Sequence, residues 1–239
     1  HIPNFAHGAL SMVGAFMSYF FMVDLGVHYW VAMAGSAVVV AVLGVVCERL
    51  VFHRLRNAPP IHDKIAAIGI LLFLEALVHM VWGSDFRRMS TPFGGVVNLD
   101  GVFLREQGIL IIASTVVLVV ALNLFLRKTM VGATIIAMAQ NREGAFLVGI
   151  DANRVAMMTF AISGILAAVA ATLYAPMNLV YPAMGHLVIM KAFVIIILGG
   201  MGSIPGAIVG GMIIGFAEAF GGYYISDAYK DVIAFALLV

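Results

Sequence analysis

Apolar residues run along this chain in long uncharged stretches, cut by short polar loops. A helix needs roughly 17–25 apolar residues to cross a bilayer. Runs 30–47, 65–82, 109–126 and 155–175 fall in that range. Segment 9–23 is shorter, and segments 186–199 and 204–220 flank the breaker GGMGSIPG. A last apolar run begins near Asp231 and ends with the chain at Val239. The pattern predicts an all-α fold: one polytopic transmembrane helical bundle over 1–239, with about eight apolar segments, one or two of them half-helices. The loop 83–108 contains TPFGGVVNLDG, whose glycine pair and valine run predict a small hairpin.

Composition sharpens this picture. Hydrophobic residues make up 63% of the chain and charged residues 10%, with mean hydropathy +1.09. A soluble domain carries about 25% charge, so this chain cannot cover a water-facing surface. A net charge of +1 gives no reason to expect a nucleic-acid partner. The single cysteine, Cys47, excludes an intrachain disulfide and a CxxC pair, and its apolar setting marks it as a core residue. The chain starts at His1 and stops inside an apolar run, so a longer protein is expected, truncated at both ends.

Charge sets the expected orientation. Loop 48–64 holds Arg49, Arg54, Arg56 and Lys64; loop 127–154 holds Arg127, Lys128, Arg142 and Arg154. Loop 83–108 holds Arg87, Arg88 and Arg105, and Lys230 joins that side. The excess of basic residues places the first two loops in the cytoplasm.

Between two uncharged runs lies AMAQNREGAFLVGIDANR, residues 137–154. Gln140, Asn141, Arg142 and Glu143 form a polar patch, while Ala137, Met138, Ala145, Phe146 and Val148 supply apolar positions. Gly149, followed by apolar Ile150, fits the left-handed position that ends a helix. Asp151 suits the N-cap of the next span. A short helix, a sharp stop and a new helix are therefore expected. Spacing alone leaves two readings open: an ordinary interfacial helix, or a docking element for a partner.

These residues resemble the branched-chain amino-acid permeases of ABC transporters. The resemblance is carried by AMAQNREGAFLVGIDANRVAMMTFAISG, and by NFAHG (4–8), ERLVFHRLR (48–56), IAAIGILLFLE (65–75), MKAFVIIILGGMGSIPGAIVGG (190–211) and SDAYKD (226–231), in the family's order. It implies a permease subunit in a bacterial inner membrane. Its partners would be a second, similar permease or a second copy of this chain, two cytoplasmic ATP-binding subunits, and a periplasmic binding protein. ATP and Mg would be bound on those partner subunits. The sequence has no GxxxxGK[ST] phosphate loop of its own, and no cofactor is expected on it. The coupling loop would be 133–153, with Asn141, Arg142, Glu143, Gly144, Ala145, Phe146 and Gly149 at the ATPase contact. Arg142 and Glu143 would set register while Phe146 anchors in a groove.

Other residues carry a choice of roles. Charges inside spans are costly and are functional candidates by default. Glu75 lies within 65–82 with His79 one turn on, so the two could bond within the bundle. Lys191 could snorkel to the interface, and Glu218 could sit near the outer surface. The functional alternative places Glu75 and Lys191 on a substrate path. Pro182, Met184 and Gly185 would open a short segment there, and Gly200 and Gly202 would break it. The glycines at 202, 206 and 210, and at 211 and 215, also fit close helix packing. His7, His53 and His62 read as isolated, and no HExxH or GxSxG motif appears, so neither a metal site nor catalysis is expected. Beyond the amino-acid importer, two readings remain: the same architecture carrying urea or short amides, or a secondary transporter that ignores ATP.

Overall fold

The computed structural model describes residues 5–56, 58–99, 102–224, 232 and 236. Six helices are long and apolar enough to cross a membrane: Ala6–Asp24, Tyr29–Leu55, Ile61–Trp82, Glu106–Lys128, Ala152–Met177 and Ile204–Tyr224. Two shorter apolar helices, Met130–Gln140 and Met184–Gly199, bring the described set to eight. The segment expected near Asp231 lies outside the described residues. Met130–Gln140 is an apolar helix the sequence did not separate, inside what it marked as a loop.

The helices are, in order, α1 (Ala6–Tyr19), α2 (Tyr29–Cys47), α3 (His53–Leu55), α4 (Pro60–Trp82), α5 (Glu106–Lys128), α6 (Met130–Gln140), α7 (Arg142–Leu147), α8 (Ala152–Tyr174), α9 (Met184–Gly199) and α10 (Ile204–Tyr224). Wider π-helical turns extend α1 through Phe20–Asp24 and join α2 to α3 through Glu48–Phe52. Local chemistry sets several boundaries. Pro60 stands in the first turn of α4, where its missing N–H costs nothing. Glu106 opens α5 and Arg127 and Lys128 close it, matching the helix dipole. The expected hairpin is present: β1 (Val96–Leu99) pairs antiparallel with β2 (Val102–Arg105).

One of the shorter predicted spans, 9–23, is the centre of the bundle. On α1, Ala6, Ala15 and Phe16 are wholly buried, and it packs against α2, α4, α8 and α9. Glycine permits this crowding. A Cβ on Gly14 would sit 2.8 Å from Ala168 Cα, and one on Gly164 would sit 2.7 Å from the Val40 carbonyl. Such small-residue contacts let helix backbones approach where lipid gives no hydrophobic drive. Polar side chains add links between the same helices. Ser18 Oγ lies 2.8 Å from Thr172 Oγ1, and Ser36 Oγ donates to the Gly14 carbonyl at 2.8 Å. Cys47 is buried, as expected.

These contacts fix relative height. Residues 7, 14 and 18 of α1 meet 163, 168 and 172 of α8, so the two helices run parallel. Helix α9 runs the other way along α1: Gly185 backs onto Gly8, and the Phe193 ring lies 4.7 Å from that of Phe5. His7 faces Ser163, halfway along the 23 residues of α8. Helix α9 therefore begins in the middle of the bundle rather than at its surface. The non-helical stretch before it is held by protein: Val180 is fully buried, and its N–H and C=O each bond Arg87 at 2.9 Å. Irregular backbone at such depth needs this pairing.

The loops sort by end as their charges predict. Arg56 meets Asn153 at one end, and Gln107 donates to the Leu173 carbonyl at the other.

Candidate functional site

The polar stretch 137–154 folds as two helices, not one. Helix α6 starts at Thr129, whose Oγ1 accepts the Gly132 N–H, and stops at Gln140. Asn141 leaves helical geometry (φ −149°, ψ 103°), and its Oδ1 accepts the Gly144 N–H at 2.9 Å. An N-cap of this kind contributes about 1 kcal/mol. The expected continuous polar patch is thus split: Asn141 is the cap, and α7 opens with Arg142 and Glu143.

The stop is as predicted. Gly149 takes φ +81°, its N–H bonds the Phe146 carbonyl, and the Ile150 N–H reaches back to Ala145, both at 3.0 Å. This pair of bonds is the Schellman arrangement, which satisfies the last carbonyls of a helix. Asp151 then caps α8 by accepting the Asn153 N–H at 2.8 Å. Three turn residues within eleven positions therefore hold α7 at a set angle to both flanking helices.

Helix α7 has one inward residue, Ala145, which is buried. Outward it presents Phe146, Leu147 and, just past its end, Val148, with Leu147 89% exposed. The Arg142 guanidinium stands 5.8 Å from the Phe146 ring centre, covering part of it. Leu147 was not singled out by the sequence. Its exposure follows from the stop at Gly149, which turns this side of the helix to solvent.

The intramembrane charges pair differently from expectation. Glu75 does not bond His79; its Oε2 lies 2.8 Å from His186 Nε2 on α9, while His79 meets Ser84. Lys191 and Glu218, read singly in the sequence, meet each other: Lys191 Nζ lies 3.0 Å from Glu218 Oε1, across α9 and α10. His7 is not isolated either; its Nδ1 lies 3.1 Å from Ser163 Oγ. No local pattern could have given these partners, since Glu75 and His186 are 111 residues apart.

The residues expected on a substrate path fall into two groups. Pro182, Met184 and Gly185 are buried at the start of α9, where His186 brings Glu75 alongside. Gly200 and Gly202 lie at its far end, with φ of +86° and +89°, where the chain turns back into α10. The 16 residues of α9 put about 24 Å between these groups. Lys191 stands between them. Close packing holds for only part of the glycine series. A Cβ on Gly206 would meet the Gly199 carbonyl at 1.7 Å and one on Gly210 the Ile195 carbonyl at 2.8 Å, whereas Gly211 and Gly215 face open space. Beside the start of α9, between α1 and α8, a cavity of ≈ 320 Å³ is walled by Leu10, Phe160, Ile189 and Phe193, with His7, Thr159 and Ser163 as polar groups.

Comparison with known proteins places this architecture. The family model described as the permease component of the branched-chain amino acid transport system matches residues 1–239. The chain belongs to this family. It is 34% identical to the high-affinity branched-chain amino acid transport system permease protein BraD of Pseudomonas aeruginosa, over 99% of this chain and 81% of that one. It is 35% identical, with the same coverage, to the corresponding permease protein LivH of Escherichia coli K12. The probable branched-chain amino acid transport permease protein LivH of Methanocaldococcus jannaschii is 31% identical over 96% of this chain and 74% of its own length. No solved structure matches the chain. The protein is thus a multi-pass membrane permease.

Proposed function

We propose that this permease is the membrane-spanning subunit of an importer that moves branched-chain or related neutral amino acids into the cytoplasm, driven by ATP hydrolysis on partner chains. The observation that carries the reading is α7: a short helix, locked at Asn141, Gly149 and Asp151, that holds exposed Phe146, Leu147 and Val148 outside the bundle. An apolar knob rimmed by Arg142 and Glu143 suits a groove on an ATPase subunit. Its rigid caps suit transmission of a closing motion into α8. The assembly comprises two ATP-binding subunits holding ATP and Mg, a second permease subunit (a homologue or a second copy), and a periplasmic binding protein that delivers the amino acid. The loops at 48–64 and 127–154 face the cytoplasm in a bacterial inner membrane.

The substrate reading draws on the names of the relatives. The broken region around α9 supports it: the half-helix start at Met184 and Gly185 lies at mid-bundle beside Glu75 and His186. A cysteine at Leu147 in an otherwise cysteine-free chain tests the ATPase contact directly. It should crosslink to the ATPase subunit in assembled complexes, and the same cysteine at Val116, exposed on α5, should not. Equal crosslinking from both positions would contradict the reading.

One observation favours a second reading. Glu75 and the half-exposed His186 pair at mid-bundle height, the kind of group that couples ions in secondary transporters. Uptake driven by a proton gradient and indifferent to ATP would establish that alternative. A test panel of leucine, isoleucine, valine and urea separates the amino-acid reading from the amide one.

A further inference from the structure

The end of α2 is joined to the exit of α7 by one side chain. Glu48 opens the π-helical turn Glu48–Phe52 and is 1% exposed. Its Oε1 accepts from Arg56 Nη2. The other terminal nitrogen of the same guanidinium, Nη1, donates to Asn153 Oδ1. Asn153, four residues beyond the Gly149 stop, lies in the first turn of α8, and its backbone N–H is held by the Asp151 cap. The Phe52 ring also stacks near Phe160 of α8, 5.1 Å between centres. A planar guanidinium with its donors in a fixed fork suits such a two-sided bridge, whereas an ammonium does not fix both directions.

We propose that Arg56 is a positioning residue that ties α2 to the coupling segment, so that a push on α7 moves α2 and α8 as one body. Three observations converge on it. The acid it holds is buried and is the first residue of a change in helix pitch, a feature often found at functional places in helices. Its second partner sits on the hinge between α7 and α8 rather than elsewhere on the long cytoplasmic face. Further up, α2 and α8 are already in backbone contact, with Gly44 against the Phe160 carbonyl and Gly164 against the Val40 carbonyl. The bridge extends that seam to its last turn, where the push would arrive. Without it, α7 and the start of α8 are free to swing while α2 stays behind.

This inference rests on the ATP-driven reading above. The test is the number of substrate molecules taken up per ATP hydrolysed, in the full complex reconstituted in vesicles. Asn153→Ala removes only the arm to the hinge and leaves the buried Glu48–Arg56 pair, so folding is preserved. Its ratio is expected to fall by about fivefold or more, with ATP hydrolysis continuing. Asn153→Asp keeps an acceptor for Arg56 and is expected to restore the ratio. Arg56→Lys, which keeps the charge but not the fork, is expected to lower it. An unchanged ratio in Asn153→Ala, in a wild type that depends on ATP, would overturn the bridge alone. A wild type whose uptake ignores ATP would overturn the functional reading and this inference with it.

Discussion

Position 149 shows how much one residue can decide. Its φ of +81° is a conformation that costs a residue with a Cβ roughly 1–2 kcal/mol, and β-branching adds to this. Nothing lies within 4 Å of where a Cβ would be, so the cost is in the backbone and not in crowding. Gly149→Val is therefore expected to unseat α7 without unfolding the bundle: normal expression and membrane insertion, with ATP-dependent uptake reduced by tenfold or so at a coupling loss of about 1.4 kcal/mol. At the other end of α7, Asn141→Ala should free the Gly144 N–H and fray the first turn, at about 1 kcal/mol. Hydrogen exchange at the Gly144 to Phe146 amides would then quicken while exchange in α8 stays unchanged. An unchanged rate at Gly144 would show that the cap does not hold the helix. Gly149 and Asp151 were legible in the sequence because a stop glycine and a capping acid are local signals. The partners of Glu75 and Lys191 were not, because each pairing depends on which helices become neighbours.

At the scale of elements, the long spans were readable from their length and lack of charge alone. Their rank was not. Segment 9–23 is among the shorter ones, yet α1 is the most enclosed of the described spans, while α5, whose central stretch has the highest mean hydropathy of the six spans, has Gln107 as its buried residue among those described. Hydropathy reports compatibility with lipid, not with neighbours. Small residues such as Gly8, Gly14 and Ala15 lower the hydropathy of α1 and are what allow other helices to close around it. Helix α6 was missed for a related reason. Eleven residues are too few to span, so an apolar run of that length was absorbed into a loop. Substitution can test the packing. Gly164→Leu places a side chain against the Val40 carbonyl, where a Cβ already stands at 2.7 Å, and should force α2 from α8. A lower melting temperature in detergent and loss of folded yield are expected. Gly211→Leu, which meets open space, should melt like the wild type. Equal melting of the two variants would show that the α2–α8 seam is not close-packed.

In the whole molecule, two regions of interest lie about half a bundle apart. In the proposed mechanism the exposed knob on α7 would receive the force, and the mid-bundle start of α9, with Glu75 and His186 beside it, would be where the helices part around a substrate. Between them run α8 and α2, in backbone contact at Gly44 and Gly164. The general class was visible in composition, and the family in the order of its motifs. The depth at which α9 begins was not visible, because it depends on Gly8 meeting Gly185 across 177 residues of chain. The central claim is that force enters through α7 and comes from ATP. The most direct test is uptake of radiolabelled leucine into vesicles holding the full-length permease, its partner permease, the ATPase subunits and the binding protein, with and without ATP, beside a Glu143→Arg, Gly149→Val double variant. The account predicts uptake that requires ATP and is lost in the double variant at normal assembly. Uptake that proceeds without ATP and survives both substitutions would contradict it.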